Sequence, residues 1–260
     1  MASLSARALA GLPEVRAGDD LAALICEAAA AQGEPLQDGQ LVLIAHKAVS
    51  KAEGAVVALG DVRPGERALE LAGRLTAEGT GEVRDPRAVQ VVLDESAEIL
   101  RAERGVLICR TRHGFVCANA GVDASNSIDA ETVILLPRDP DGSARRLRSR
   151  VRELTGARVA VLIADSFGRA WRHGQVDVAV GLAGMAPLED WRGREDARGM
   201  PLRATWLAVA DAAAAAGELV RAKDSLEPVV LVDGLQRFFD EGDGPGAAAL
   251  LRPLGEDLFR

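Results

Sequence analysis

Two unbroken apolar runs constrain this chain more than any other feature: Leu41-Val42-Leu43-Ile44-Ala45 and residues 159–164. A strand with one face in water alternates apolar and polar side chains. A run that is apolar at every position has to be covered on both faces. Both runs are therefore expected to be buried strands, and the stretch 229–232 reads as a third, late strand.

The chain around them carries helical signals. Asp19 or Asp20 caps a first helix that turns Leu21, Leu24, Ile25 and Ala28 inward, and Asp38-Gly39 makes a turn before the first apolar run. Helices are expected over 66–78 and 85–95, the second with Pro86 at the first helical position, where its missing N–H is no loss. Residues 106–111 and 115–118 flank His113-Gly114 and suggest a hairpin. A helix over 143–154 stops at Gly156. Its apolar stripe is Leu147, Val151 and Leu154, which leaves Arg145, Arg146, Arg148, Arg150 and Arg152 as its solvated side. A polar loop follows the second apolar run, then a glycine-rich segment over 175–184 and a helix over 205–220 seeded by alanines 212–216. Buried strands of the parallel type, a hairpin and interspersed helices define an α+β (mixed α/β) chain. Its 260 residues suffice for one large domain or two intimate subdomains.

Composition and missing motifs exclude several function classes. No run approaches the roughly 18 apolar residues of a membrane helix. Met1-Ala2-Ser3-Leu4-Ser5-Ala6-Arg7 has no secretory pattern, so a cytoplasmic location is expected. A formal net charge of −8 disfavours nucleic acid and anionic membranes as partners. Cys26, Cys109 and Cys117 form no C-x-x-C pair and read as small buried hydrophobes. His46, His113 and His173 lack the H-E-x-x-H spacing of a zinc site. No G-x-x-x-x-G-K-[ST] is present, so the chain is not a P-loop protein. Gly79-Thr80-Gly81-Glu82-Val83-Arg84 lacks the last glycine of a Rossmann fingerprint, and there is no G-x-S-x-G elbow.

Three polar clusters next to apolar runs remain. His46-Lys47-Ala48-Val49-Ser50-Lys51-Ala52-Glu53-Gly54 is either a phosphate-receiving strand end or an exposed helix turn with two lysines four apart. Ala120-Gly121-Val122-Asp123-Ala124-Ser125-Asn126 is either a tight loop or a place where Asp123 holds a hard cation and Asn126 meets the ligand bridged by it. In the third, Asp165 ends an apolar strand and is followed by Ser166-Phe167-Gly168-Arg169-Ala170-Trp171-Arg172. A lone carboxylate there loses several kcal/mol of hydration, more than the ~1 kcal/mol of a helix cap, so a metal, Arg169 or Arg172 has to compensate it. Trp171, Trp191 and Trp206 are expected in the core, with stacking on a ring as the alternative.

In this order the clusters resemble the coenzyme F420-0:L-glutamate ligase family, from Gly11-Leu12-Pro13-Glu14-Val15 through Gly174-Gln175-Val176-Asp177 to about Gly234. The resemblance implies GTP contacts at Leu12, Pro13, Glu14, Val15, His46, Lys51 and Asn126, and a later contact near Ala222-Lys223-Asp224-Ser225-Leu226. It implies metal ligation by Asp123, Asp165 and Ser166, with two magnesium or manganese ions at the phosphates, and it admits a potassium ion. Asp123, Asp165 and Lys51 would then be the catalytic groups. L-Glutamate and coenzyme F420-0 are the implied substrates, a homodimer the implied assembly, and a large mixed sheet with flanking helices the implied fold. Three positions depart from the family pattern: His46 for serine or threonine, Ser166 for threonine, and Ala222 for glycine. Residues 1–245 are expected to be the ligase unit and 246–260 a tail, without the nitroreductase-like domain that some relatives carry.

Overall fold

The computed structural model describes residues 3–78, 83–125, 131–222 and 224–257. In chain order the strands are β1 (Ser5–Ala8), β2 (Leu41–Ala45), β3 (Val56–Ala58), β4 (Ser96–Glu103), β5 (Val106–Thr111), β6 (Val116–Ala118), β7 (Thr132–Ile134), β8 (Ala160–Arg169), β9 (Arg172–Ala183), β10 (Leu188–Asp190), β11 (Trp206–Ala208) and β12 (Val229–Asp233). The helices are α1 (Leu21–Ala31), α2 (His46–Ala52), α3 (Glu66–Glu78), α4 (Pro86–Glu95), α5 (Pro140–Thr155) and α6 (Val209–Glu218).

The apolar runs become the middle of a five-stranded mixed sheet in the order β1-β12-β2-β8-β9. β2 and β8 lie parallel, with Leu41 opposite Ala160 and Ala45 opposite Ala164, and the other neighbours are antiparallel. Alternate side chains serve opposite layers. Val42, Ile44, Val161 and Ile163 pack with α1, α2 and α5, while Leu41, Leu43, Leu162 and Val230 pack with α6. Leu41, Val42, Leu43 and Ile44 are all 0% exposed. Each contributes about 1.5–3 kcal/mol by leaving water, so neither face tolerates polar residues. A separate cluster joins α3 and α4 to the sheet β4-β5-β6 through Leu71, Leu75, Val89, Val92, Leu107 and Cys109.

Local signals explain most boundaries. The Asp20 carboxylate caps α1 by accepting from Ala23 N–H, and Asp85 caps α4 by accepting from Arg87 N–H. Gly156, at φ +78°, ends α5 in the left-handed conformation that glycine adopts without a steric penalty. The expected hairpin is β5–β6, although β4, which pairs on the other side of β5, has no counterpart among the expected strands.

Several expectations need correction. The polar loop after residue 164 is a continuation of β8, which runs to Arg169, turns at Ala170 and Trp171, and returns as β9 through the glycine-rich segment. The helix expected over 205–220 is preceded by β11 and begins only at Val209, while α5 begins at Pro140, capped by Asp139. On α5, Leu147 and Val151 face the core but Leu154 is exposed. Three of its arginines also make ion pairs: Arg146 with Glu53, Arg148 with Asp243 and Arg150 with Asp20, each at 2.8 Å. Trp171 and Trp206 are exposed, not core, and the Arg192 guanidinium lies 4.2 Å from the Trp206 ring centre. Among the described residues no helix is long and apolar enough to cross a membrane.

Candidate active site

The parallel pair ends at one edge of the sheet. There β2 passes directly into α2, setting His46 and Lys47 beside Asp165 and Ser166, which follow Ala164 on β8. Carboxyl ends of parallel strands are where open sheets bind ligands. A cleft of about 370 Å³ lies here. Leu12, Pro13, Glu14, Val15, His46, Lys51, Asp123, Asp165 and Ser166 all line it, so residues spread over more than 150 positions converge on one cavity. Ala222 and Leu226 line it as well. Asn126 and Lys223 lie outside the described residues.

Asp123 is held by its backbone. Its N–H donates to Ile134 O at 3.0 Å, and its carbonyl accepts from Ile134 N–H at 2.8 Å. The chain reaches this point through Asn119, Ala120 and Gly121 with φ values of +50°, +53° and +73°. Ala120 is buried in that left-handed state, which costs an alanine about 1–2 kcal/mol. Such strain persists only where surrounding packing over-determines it, and it gathers at functional sites.

The charges are interleaved. Lys47 Nζ lies 2.7 Å from Asp123 Oδ2 and donates to Ser125 Oγ at 2.5 Å. Lys51 Nζ lies 2.5 Å from Glu14 Oε1. The two lysine side chains are only 20% and 11% exposed, so they point into the cleft and do not form a solvated helix face. Burial by itself pushes the Asp123 carboxyl up, but the hydrogen bonds from Lys47 and Ser125 N–H outweigh it and hold the group below its ordinary value. Asp165 Oδ1 accepts from Ser166 N–H at 2.8 Å and lies 3.3 Å from His46 Nε2, out of hydrogen-bonding alignment. Among the described residues no arginine pairs with Asp165, and Arg169 instead donates to the carbonyl of His173.

Sequence reasoning passed over other residues of this site. Lys47 belongs to the cluster expected either to receive phosphate or to form an exposed helix turn, but it is not among the residues singled out for the site. Gln175, Glu218 and Arg221 also line the cleft, and Asp177 lies behind it, bonded to Ser166 and Arg221. Gln175 and Asp177 lie in a segment that carries the family resemblance but were given no role, and no motif marks Glu218 or Arg221. The Arg221–Asp177 contact joins β9 to the chain just beyond α6, so only the fold brings the two together.

The donor set was compared with the expected ions. Among the described residues no three His, Cys, Asp or Glu side chains gather as a metal cluster. That suits neither zinc nor calcium, which draw most of their ligands from protein. Asp123 and Asp165 with the hydroxyls of Ser125 and Ser166 offer hard oxygen donors in one cleft. This is the short protein contribution that magnesium or manganese takes when phosphate oxygens and water complete the shell.

A mixed sheet of this order carries an acidic, lysine-lined cleft at its parallel strand ends. The chain belongs to the F420-0:gamma-glutamyl ligase family, whose profile matches residues 11–234. It is 45% identical over 251 residues to the coenzyme F420:L-glutamate ligase of Methanothermobacter thermautotrophicus, covering 96% of each chain. To the protein of the same name from Halobacterium salinarum it is 43% identical over 258 residues, covering 99% of this chain and 96% of that one. The Methanopyrus kandleri ligase is 45% identical over 249 residues, 95% of this chain and 94% of the relative. The family makes this chain a ligase, an enzyme that forms amide bonds.

Proposed function

We propose that the protein joins L-glutamate to the terminal carboxylate of coenzyme F420-0, and then further glutamates through γ-linkages, driven by GTP. The observation that carries this reading is the convergence of Asp123, Asp165, Ser166, Lys47 and Lys51 on one cleft in a chain of this family. A free carboxylate does not acylate an amine. The balanced route transfers the γ-phosphoryl group of GTP to a carboxylate oxygen, giving acyl phosphate and GDP. The glutamate nitrogen then attacks the acyl carbon, the C–O bond breaks, and phosphate leaves with the amide formed.

The chain's own residues have distinct tasks in this scheme. The cleft is lined by Glu14, Asp123, Asp165, Glu218 and Glu227 as well as by lysines, so a polyphosphate needs cations between itself and the carboxylates. Asp123, Asp165 and Ser166 would hold two magnesium or manganese ions, which neutralise charge on the transferring phosphoryl group. Lys51 adds a point charge at the phosphates. Leu12, Pro13, Glu14 and Val15 form the wall against the nucleotide. A potassium ion, a homodimeric assembly and a cytoplasmic location complete the proposal, and light scattering of the purified protein tests the dimer.

Protein, GTP, manganese, glutamate and coenzyme F420-0 are incubated together and the products weighed by mass spectrometry. Added glutamate residues with one GDP per amide are expected. Phosphate release with no change in the acceptor would instead make the protein a nucleotide hydrolase. Asp123→Ala and Asp165→Ala are each expected to lower turnover by at least a thousandfold while the circular dichroism spectrum stays that of the parent. Near-normal rates in both would remove the metal-ligand assignment.

A further inference from the structure

Behind the cleft lies a carboxylate to which no role has so far been given: Asp177 of β9, 0% exposed. Ser166 Oγ donates to its Oδ1 at 2.5 Å, and the Arg221 guanidinium donates to its Oδ2. Its backbone N–H donates to Glu218 Oε2 at 2.9 Å. The register of the β8–β9 hairpin sets Ser166 directly opposite Asp177, so the contact is dictated by strand pairing. Buried ion pairs are weak stabilisers, since well-packed apolar residues in their place are often as stable. This pair therefore points to a task other than holding the fold.

That task follows from hydroxyl chemistry. Serine has one hydroxyl hydrogen and two lone pairs. With the hydrogen directed to Asp177, Ser166 presents electron pairs to any further partner. Such a hydroxyl suits a cation and does not suit donation to a phosphate oxygen. An acceptor behind a ligating group also fixes its orientation and raises its basicity. On the other side, Arg221 donates to Pro228 O at 3.3 Å and so ties down the wall segment 221–228, which includes the cleft residues Ala222 and Leu226.

We infer that Asp177 is a positioning residue that accepts the hydroxyl hydrogen bond of Ser166, commits Ser166 Oγ to a divalent cation, and anchors the Arg221 wall to the same point. The inference rests on the metal–nucleotide reading above. It is tested by Mn2+ binding to the full chain with a non-hydrolysable GTP analogue present, free Mn2+ being followed by its paramagnetic resonance signal. Asp177→Asn and Ser166→Ala are each expected to weaken Mn2+ binding about 10- to 100-fold. Because both act on the cation through one hydroxyl, the double variant should be weaker than Ser166→Ala alone by far less than the full effect of Asp177→Asn. Ser166→Thr, which keeps the hydroxyl, should bind within about threefold of the parent.

Effects that multiply in the double variant, or parental binding by Asp177→Asn, overturn the positioning role and leave the site reading intact. A parent protein that binds neither Mn2+ nor the nucleotide overturns both. Should Asp177→Asn alone not fold, the pair Asp177→Asn with Arg221→Gln, which removes both charges of the Asp177–Arg221 contact, takes its place in the cycle.

Discussion

Cys109 and Cys117 face one another across β5 and β6, both buried and both free thiols. Burial, then the nearby Asp165 and Cys109, push the Cys117 thiol from 9.0 up to about 12, and burial pushes Cys109 up as well. The thiolate is the reactive form, so neither should react while the chain is folded. At pH 8, iodoacetamide is expected to leave the folded protein unmodified at both positions and to label them in denaturant, as read by mass spectrometry. Rapid labelling of Cys117 in the folded protein would show that its surroundings open. A raised folded-state value stabilises below the unfolded value and loses that contribution as pH rises. The denaturation midpoint should therefore fall between about pH 9 and 10 by up to the equivalent of 1.4 kcal/mol per pH unit for Cys117, a slope that Cys117→Ala removes. At this scale the sequence foretold more than chance placement: all three cysteines were expected inside, and Cys26 is only partly buried. Two of the three tryptophans were misjudged because aromatic area argues for burial on average, whereas Trp171 occupies a hairpin turn and Trp206 the thin ribbon β10–β11.

The same substitution should have opposite signs in two elements. Gly181 of β9 lies against the start of α5, where an added Cβ would stand 2.5 Å from the backbone oxygen of Pro140. Helix and strand approach that closely because Asp141 in the first turn of α5 accepts Leu182 N–H at 2.8 Å. Backbone atoms on both sides cannot yield separately, so Gly181→Ala is expected to cost about 3 kcal/mol, the upper end for overpacking. Gly73, inside α3, has open space where its Cβ would be, and Gly73→Ala should gain up to about 1 kcal/mol from helix propensity. Chemical denaturation of both variants checks the pair, and a neutral Gly181→Ala would show that α5 is not seated on β9. Helix α4 was legible because the Asp85 cap and Pro86 agree with its apolar period within one stretch. The β8–β9 hairpin was not. Its strands leave the core after Ala164, so Asp165-Ser166-Phe167-Gly168-Arg169 loses the apolar pattern that betrays a buried strand, and Ala170-Trp171 has none of the Asn or Gly that marks a two-residue turn. The hairpin was thus misread because polar residues that line a cleft look like a loop.

Across the whole molecule the cleft is assembled from the segment 12–15, the β2–α2 junction, the loop at Asp123, the β8–β9 hairpin and the wall at 218–228. Two of these, the β2–α2 junction and β8, are parts of the buried sheet. The others reach the cleft through contacts such as Glu14 with Lys51 and Arg221 with Asp177. A ligand bound to all five has no counterpart in the unfolded chain, so its affinity adds directly to stability as RT ln(1 + [L]/Kd). With a nucleotide–metal complex that binds as one ligand at 100 times its dissociation constant the gain is about 2.7 kcal/mol, or roughly 5–10 °C for a chain of this size. On the proposed function the acidic lining would make the two components interdependent: nucleotide without cation would meet carboxylates, and cation without nucleotide would lack the phosphate oxygens that complete its shell. Thermal melts with GTP alone and Mn2+ alone should therefore move little, and the two together should exceed the sum of the separate shifts. Asp165→Ala should erase the excess while leaving the unliganded midpoint within a few degrees of the parent. Equal, additive shifts would mean that nucleotide and metal bind in separate places, and the shared cleft would then have to serve one of them alone.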